Sequence, residues 1–195
     1  MARVKLMKYF LLNQESPIAT EDLADRLRVK PKVIKADLDE LVRVGMIKPK
    51  IVTKVTTNGR KTTKKKLKGY LATKEFSLSE PLRNLLIDAV GTNIPDLLPR
   101  FNKIGKVSLF IVSGIFLHDK DRTMDLMIVG DRLNRNLIDR RIKELEGEIG
   151  KELRYAVFEI DEFMYRLNMY DKLLRDVLDY PHEKLINKID HPEFR

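Results

Sequence analysis

Two β-prone segments, residues 46–57 and 60–73, flank the dipeptide Asn58-Gly59, and this pattern restricts the local fold strongly. Asparagine and glycine both tolerate the positive φ angles that a tight two-residue turn needs. Such a pair between β-prone segments is the strongest short-range signal for a β-hairpin. The sequence therefore predicts two antiparallel strands joined at Asn58-Gly59.

The predicted hairpin also holds nearly all of the net charge. The chain of 195 residues carries a formal net charge of +9, and residues 48–74 contain ten basic residues and no acidic one, so the remainder stands at −1. These ten are Lys48, Lys50, Lys54, Arg60, Lys61, Lys64, Lys65, Lys66, Lys68 and Lys74. A segment of one sign repels itself and is usually retained for a polyanionic partner. Nucleic acid is the expected partner, with a membrane surface or a merely solvated loop as the alternatives.

Composition excludes several classes of protein. Cysteine is absent, which removes a disulfide framework, a thiolate metal site and a cysteine nucleophile. No apolar run approaches the ~18 residues of a membrane-spanning helix, and the apolar run near residue 10 is too short for a signal peptide. We therefore expect a cytoplasmic, nucleoid-associated protein without a membrane partner.

Three short helices are predicted ahead of the hairpin. Apolar residues recur at helical spacing over residues 4–12. Thr20 is placed to cap a second helix. Pro31 suits the first position of a third helix, which ends at Gly45, because the missing N–H of proline would have no helical partner there. One small core is expected to contain Leu23, Val29, Ile34, Leu38 and Leu41.

Three helices followed by a hairpin resemble the winged helix-turn-helix of prokaryotic transcription regulators, and the segment TEDLADRLRVKPKVIKADLDELVRVGMIKPK carries the resemblance. In that family the third helix enters the major groove, while the wing lies along a neighbouring groove or the phosphate backbone. The resemblance implies DNA contacts from the third helix at Lys30, Lys32, Val33, Lys35 and Ala36. It implies wing contacts at Lys54, Arg60, Lys61, Lys64, Lys65, Lys66 and Lys68.

The third helix offers few groups that read base edges. Direct readout uses bidentate partners such as arginine on guanine or asparagine on adenine, whereas this helix offers lysines, a valine and an alanine, followed by Asp37, Asp39 and Glu40. We expect strong affinity for duplex DNA with weak sequence specificity. Asp39 and Glu40 should point sideways or pair with Lys35 or Arg43.

The C-terminal half predicts a second, α+β domain. Strands are expected at 107–116, 124–129 and 154–160, the first two paired antiparallel, with amphipathic helices at 132–149 and 161–179. A fourth helix, capped by Ser79, is expected to connect the halves or to form a dimer contact. The domain boundary should fall between Gly91 and Gly105.

The segment KVSLFIVSGIFLHDKDRTMDLMIVGD resembles the opening hairpin of the nucleotidyltransferase fold, a resemblance that extends over residues 106–189. Active members hold phosphates with a Gly-Ser pair and bind divalent metals with two Asp residues on the second strand. Here Ser113-Gly114 stands in reversed order, and Thr123 and Asp125 occupy the acidic positions, so one carboxylate is missing. The resemblance implies an inactive relative that needs no metal or cofactor and serves as a scaffold, dimer surface or sensor.

The sequence thus predicts an α+β chain with a winged helix-turn-helix at 1–76, a connecting segment at 77–105 and a degenerate nucleotidyltransferase-like domain with a small mixed sheet at 106–195. The leading hypothesis is a transcriptional regulator that binds double-stranded DNA, forms a homodimer and answers to an unidentified effector or protein partner. The alternatives are a metal-dependent nucleotidyltransferase with Asp125 as ligand, and a low-specificity nucleoid or RNA-binding protein. No other catalytic group is expected, since His118, His182 and His191 lack metal-ligand spacing.

Overall fold

The structure is a computed structural model that describes residues 2–58, 61–88, 94–117, 119 and 122–194, without the side chains at 56–58, 61–63, 88, 95 and 193. It divides into two compact units. The first contains residues 1–90 and 143–151, and the second contains residues 91–142 and 152–195. The chain is α+β, as predicted.

Three helices begin the first unit: α1 (Ala2–Leu12), α2 (Thr20–Leu27) and α3 (Pro31–Arg43). Helix α2 ends at Leu27, and the left-handed φ of 53° at its C-cap, Arg28, turns the chain towards α3. Pro31 lies at the start of α3, which confirms the predicted beginning of that helix. Val29 donates its N–H to the carbonyl of Ala24, so the connection between α2 and α3 is closed by the backbone itself.

A three-stranded antiparallel sheet completes the first unit: β1 (Ile18–Ala19), β2 (Ile47–Asn58) and β3 (Lys61–Ala72), in the order β1-β3-β2. We refer to β2 and β3 together as the basic hairpin. Its register pairs Asn58 with Lys61, so Gly59 and Arg60 stand between the paired ends, one residue later than the predicted Asn58-Gly59. Gly59 and Arg60 themselves lie outside the described residues.

One predicted cap is wrong. Ala19, not Thr20, is the N-cap of α2, and no side chain caps that helix. The Thr20 hydroxyl instead donates to the backbone carbonyl of Lys68 in β3 at 3.1 Å. This contact ties the first turn of α2 to the hairpin, so a tertiary hydrogen bond has displaced the local capping bond.

The predicted core forms at the centre of the first unit. Leu23, Ile34, Leu38 and Leu41 are buried, with Val29 packed against them. The base of the basic hairpin contributes to the same core through Ile47, Tyr70 and Ala72. Each buried large apolar side chain stabilises the fold by ~1.5–3 kcal/mol. The hairpin and α3 are therefore anchored in one apolar cluster.

The segment after the hairpin is less regular than predicted. Helix α4 (Ser79–Arg83) begins at Ser79, so that residue lies inside the helix and Leu78 is its N-cap. The chain continues as a π-helical turn over Asn84–Asp88. After residues 89–93, which are not described, a short 3₁₀ turn (Ile94–Asp96) precedes α5 (Leu97–Arg100). The predicted stop at Gly91 lies outside the described residues.

The second unit is built on a mixed four-stranded sheet: β4 (Lys106–Val112), β5 (Leu126–Asp131), β6 (Tyr155–Glu159) and β7 (Glu183–Asn187). The strand order is β6-β5-β4-β7. Strands β4 and β5 pair antiparallel, as predicted, and β5 pairs parallel with β6. The first strand ends earlier than predicted because a 3₁₀ turn occupies Gly114–Leu117. Strand β7, which pairs with β4, was not predicted.

Helix α6 (Arg135–Ile149) begins in the second unit, and its last residues are grouped with the first. A single helix over 161–179 was predicted, and this is wrong. The segment forms α7 (Ile160–Asn168) and α8 (Lys172–Leu178), separated at Tyr170, which has a φ of 52°. The Asp171 carboxylate accepts the N–H groups of Leu173 and Leu174, so it caps α8 and starts a new helix. Within the described ranges, no helix combines the length and apolarity needed to cross a bilayer.

Candidate nucleic-acid interface

Helix α3 presents its predicted contact residues to solvent. Ile34, Leu38 and Leu41 face the core, and helical geometry therefore turns the intervening positions outward. The five predicted positions are all exposed, namely Lys30, Lys32, Val33, Lys35 and Ala36. Val33 exposes 55% of its surface, a large fraction for a branched apolar residue. This outer surface combines three cations with a small apolar area.

The acidic residues of α3 are largely neutralised by neighbours. Glu40 pairs with Arg43 at 2.6 Å, as predicted. Asp37 accepts a hydrogen bond from Arg3 of α1 at 2.9 Å, a partner that the sequence did not indicate. Asp39 is exposed. The outer surface of α3 is therefore cationic at its N-terminal half, and the exposed Asp39 follows that half.

The register of the basic hairpin sorts its side chains onto two faces. Side chains alternate along a strand, and directly paired residues share a face. The pairs Ile51–Lys68, Thr53–Lys66 and Val55–Lys64 form one face, which we call the Lys66 face. The opposite face, which we call the Lys65 face, contains Lys48, Lys50, Val52, Lys54, Lys65 and Leu67. Lysines therefore project from both sides of the ribbon.

One of the predicted contact lysines is held by the protein itself. Lys54 Nζ lies 2.5 Å from Asp22 Oδ1 in the first turn of α2. The hydrogen bond from Lys54 to Asp22 raises the pKa of Lys54 above its usual value, and the charges of Asp22, Glu21 and Asp25 raise that pKa further. The Lys54–Asp22 ion pair therefore fixes the hairpin to α2. Among the described hairpin lysines, Lys54 is the one least available to bind a phosphate.

The other described hairpin lysines are exposed, and none of their ammonium groups forms an ion pair with a described residue. They are Lys64, Lys65, Lys66 and Lys68, together with Lys48 and Lys50 at the start of the predicted wing. The side chains of Arg60 and Lys61 lie outside the described part of the chain. Ile51 and Val55 are also exposed, at 68% and 55%. Strand alternation could have indicated this apolar row, since both residues fall on one side of β2.

Asp125 in the second unit is buried, and both of its carboxylate oxygens accept hydrogen bonds from the protein. Its side chain is 2% exposed. Its two oxygens accept hydrogen bonds from the N–H of Ile115 at 3.0 Å, the N–H of Arg154 at 2.9 Å and the Arg154 guanidinium at 3.1 and 3.2 Å. Gly114, at a φ of 55°, makes room for this carboxylate, because a Cβ there would overlap Asp125 Oδ1.

The other residues that the predicted nucleotidyltransferase-like motif singled out divide between the interior and the surface. Ser113 is buried, and its hydroxyl donates to the Met124 carbonyl at 2.7 Å. Thr123 is exposed. The structure thus brings Ser113, Gly114 and Asp125 together and leaves Thr123 outside the cluster. Among the described residues, no three His, Cys, Asp or Glu side chains are grouped so that they could hold a metal ion.

No protein-family model, curated protein or solved structure matches this chain. Its function is therefore inferred from its own residues and their geometry.

Proposed function

We propose that this chain is a DNA-binding transcriptional regulator whose first unit acts as a winged helix-turn-helix, with α3 and the basic hairpin contacting duplex DNA. The observation that carries the proposal is the basic hairpin, whose described lysines other than Lys54 are exposed and lack acidic partners. Each phosphate neutralised by such a lysine releases condensed counterions and adds affinity. The cationic outer surface of α3, anchored in the same core, supports the proposal.

The salt dependence of DNA binding tests this function. A plot of log K against log salt for a random-sequence duplex should be linear, with a slope of about −0.9 per phosphate contacted. We expect a slope steeper than about −4, since several hairpin lysines and those of α3 are available. The measurement is a fluorescence-anisotropy titration with the full chain. A slope near zero would leave the basic hairpin without a nucleic-acid role.

Replacing Lys30, which is the N-cap of α3, together with Lys32 and Lys35 in the helix tests the role of α3. The variant K30Q/K32Q/K35Q should reduce the slope by about 2–3 and weaken binding roughly 10- to 100-fold near 0.1 M salt. The three side chains are exposed, so thermal stability should change by less than about 0.5 kcal/mol. Binding as tight as that of the wild-type chain would show that α3 faces away from the DNA.

A low-specificity nucleoid or RNA-binding role is a second candidate, favoured by the chemistry of α3. The five predicted contact positions carry Lys, Val and Ala and lack the Arg, Asn or Gln groups that bind base edges in a bidentate way. Competition of a random duplex and a duplex RNA against genomic fragments separates the two roles. A regulator should prefer some genomic sites at least ~10³-fold, whereas a nucleoid protein should show no such preference.

The second unit is proposed to act as a scaffold, sensor or dimer surface. Nucleotidyl transfer through Asp125 is less favoured, because both of its oxygens are occupied by hydrogen bonds within the protein. Homodimer formation is supported by the exposed Leu78 and Leu85 near α4 and by the frequency with which such modules bind paired half-sites. Light scattering of the chain with duplex DNA tests it, and a monomeric mass would reject it. We also propose a cytoplasmic, nucleoid-associated location.

A further inference from the structure

We propose that the basic hairpin meets DNA with one face only, the Lys66 face, so that Lys64, Lys66 and Lys68 follow the phosphates of one strand. This inference rests on the proposed DNA-binding function and specifies its geometry. The opposite, Lys65 face carries Lys54, which pairs with Asp22 of α2. The base of the Lys66 face packs in the core through Ile47, Tyr70 and Ala72, so only its outer part, with the three lysines, is free to meet DNA. The two faces carry similar numbers of lysines, so their total charge does not distinguish them.

The first support is the spacing of the three lysines on β3. Residues two apart on a strand project on the same side, at about 6.6 Å intervals. A single DNA strand carries one phosphate per ~3.4 Å of helix axis, and its backbone winds around that axis, so successive phosphates lie farther apart than this rise. Flexible lysine side chains can accommodate the remaining difference. The row can therefore meet successive phosphates without bending the ribbon.

The second support is the distribution of acidic groups around the hairpin. Asp22 lies 2.5 Å from Lys54 on the Lys65 face, and Glu21 and Asp25 of α2 also act on that lysine. Phosphates approaching this face would meet the carboxylates of α2. On the Lys66 face, no carboxylate of a described residue forms an ion pair with Lys64, Lys66 or Lys68. The two faces therefore differ in the acidic first turn of α2 beside Lys54, since the other described lysines of the Lys65 face form no ion pair with a described residue either. Repulsion by the α2 carboxylates thus disfavours phosphate binding at the Lys65 face and leaves the Lys66 face available.

The third support is the apolar row beside the lysines. Ile51 and Val55 stand on the Lys66 face, directly opposite Lys68 and Lys64, and both are more than half exposed. Apolar side chains next to a phosphate-binding row can pack on deoxyribose and groove walls, so that their exposed surface is removed from water on binding. The Lys65 face is less open at its centre, where Val52 and Leu67 are only partly exposed.

Two triple variants with the same loss of charge test the assignment. K64Q/K66Q/K68Q removes the lysines of the Lys66 face, and K48Q/K50Q/K65Q removes three exposed lysines of the opposite face. We expect the first variant to reduce the log–log salt slope by about 2.7 and to weaken binding to a random duplex on the order of 100-fold near 0.1 M salt. The second should change the slope by less than about 1. Circular dichroism melting establishes that both variants fold.

A third variant tests the ion pair between Lys54 and Asp22. D22N removes the carboxylate that holds Lys54, and we expect it to alter affinity less than about twofold because the Lys65 face is turned from the DNA. Equal losses in the two triple variants, a larger loss in K48Q/K50Q/K65Q, or a tenfold gain in D22N would overturn the face assignment while leaving DNA binding intact. Absence of salt-dependent binding by the wild-type chain would overturn both the assignment and the proposed function.

Discussion

Asp125→Asn is expected to lower the free energy of unfolding by about 3 kcal/mol, because a buried carboxylate with four hydrogen bonds loses its charge and half of its acceptors. Oδ1 accepts from Ile115 N and Oδ2 from Arg154 N, while the Arg154 guanidinium bonds both oxygens. An amide nitrogen in place of one oxygen would face N–H donors. The Arg154 side chain is 43% exposed, so water would compensate part of its loss, and the two backbone N–H groups carry most of the penalty.

Thermal and urea unfolding of the full chain measure this effect. For a chain of this length, a loss of about 3 kcal/mol corresponds to a decrease in Tm of roughly 6–12 °C. Asp179→Asn is the matched control in the same unit, because Asp179 pairs with Arg175 across an exposed helix turn at 2.9 Å. Such exposed pairs contribute ~0.3–0.5 kcal/mol. If D125N and D179N unfolded alike, and D125N alone lost magnesium-dependent nucleotide binding, Asp125 would be a metal ligand rather than a structural residue.

The sequence allowed the prediction of those parts of the fold that depend on local rules. Proline at the first position of α3 and the apolar spacing of Leu23, Ile34 and Leu38 are both local signals, and the structure agrees with both. The exposed positions of α3 follow from the same periodicity. The partner of Asp37 does not follow from local spacing, since Asp37 pairs with Arg3, 34 residues earlier in the chain.

Other features depend on contacts that local patterns do not encode. The apolar periodicity of 161–179 continues through Tyr170, yet the Asp171 carboxylate competes for backbone N–H groups and starts a second helix. Strand β7 forms because β4 has an open edge that it can pair with, and its own five residues, EKLIN, carry little β signal. The Thr20 hydroxyl bonds to Lys68 rather than capping α2, because the two elements meet in space.

The candidate interface was predictable in composition and only partly in geometry. A turn at Asn58-Gly59 would pair Thr57 with Arg60, whereas the observed register pairs Asn58 with Lys61. The observed turn shifts the β3 partner of each β2 residue by two positions. Because side chains alternate with a period of two, the same residues still share each face. The alternation of residues in the sequence was therefore enough to predict which side chains share a face of the hairpin. The sequence did not predict the ion pair between Lys54 and Asp22, which makes the two faces different.

Gly69→Ala is expected to destabilise the chain by about 3 kcal/mol, because the hairpin has no space for a side chain where β3 passes β1. A Cβ at Gly69 would overlap the Ile18 carbonyl oxygen and would lie 2.7 Å from Val52 Cγ2. The first contact is with backbone, so a change of rotamer cannot relieve it. Ile18 and Ala19 pair with Tyr70 and Gly69 and are themselves buried, so the clash must separate β1 from β3.

Gly45→Ala provides the control that separates steric overlap from backbone strain. Gly45 has a φ of 79°, and no described atom lies within 4 Å of the position that an added Cβ would take, so alanine there meets only the left-handed penalty of about 1–2 kcal/mol. Urea unfolding followed by circular dichroism should therefore rank G69A as the less stable variant, and hydrogen exchange should accelerate at the β1–β3 amides in G69A alone. Equal stability of the two variants would mean that β1 contributes little to anchoring the hairpin, and the hairpin would then be held mainly by Ile47, Tyr70 and Ala72 in the core.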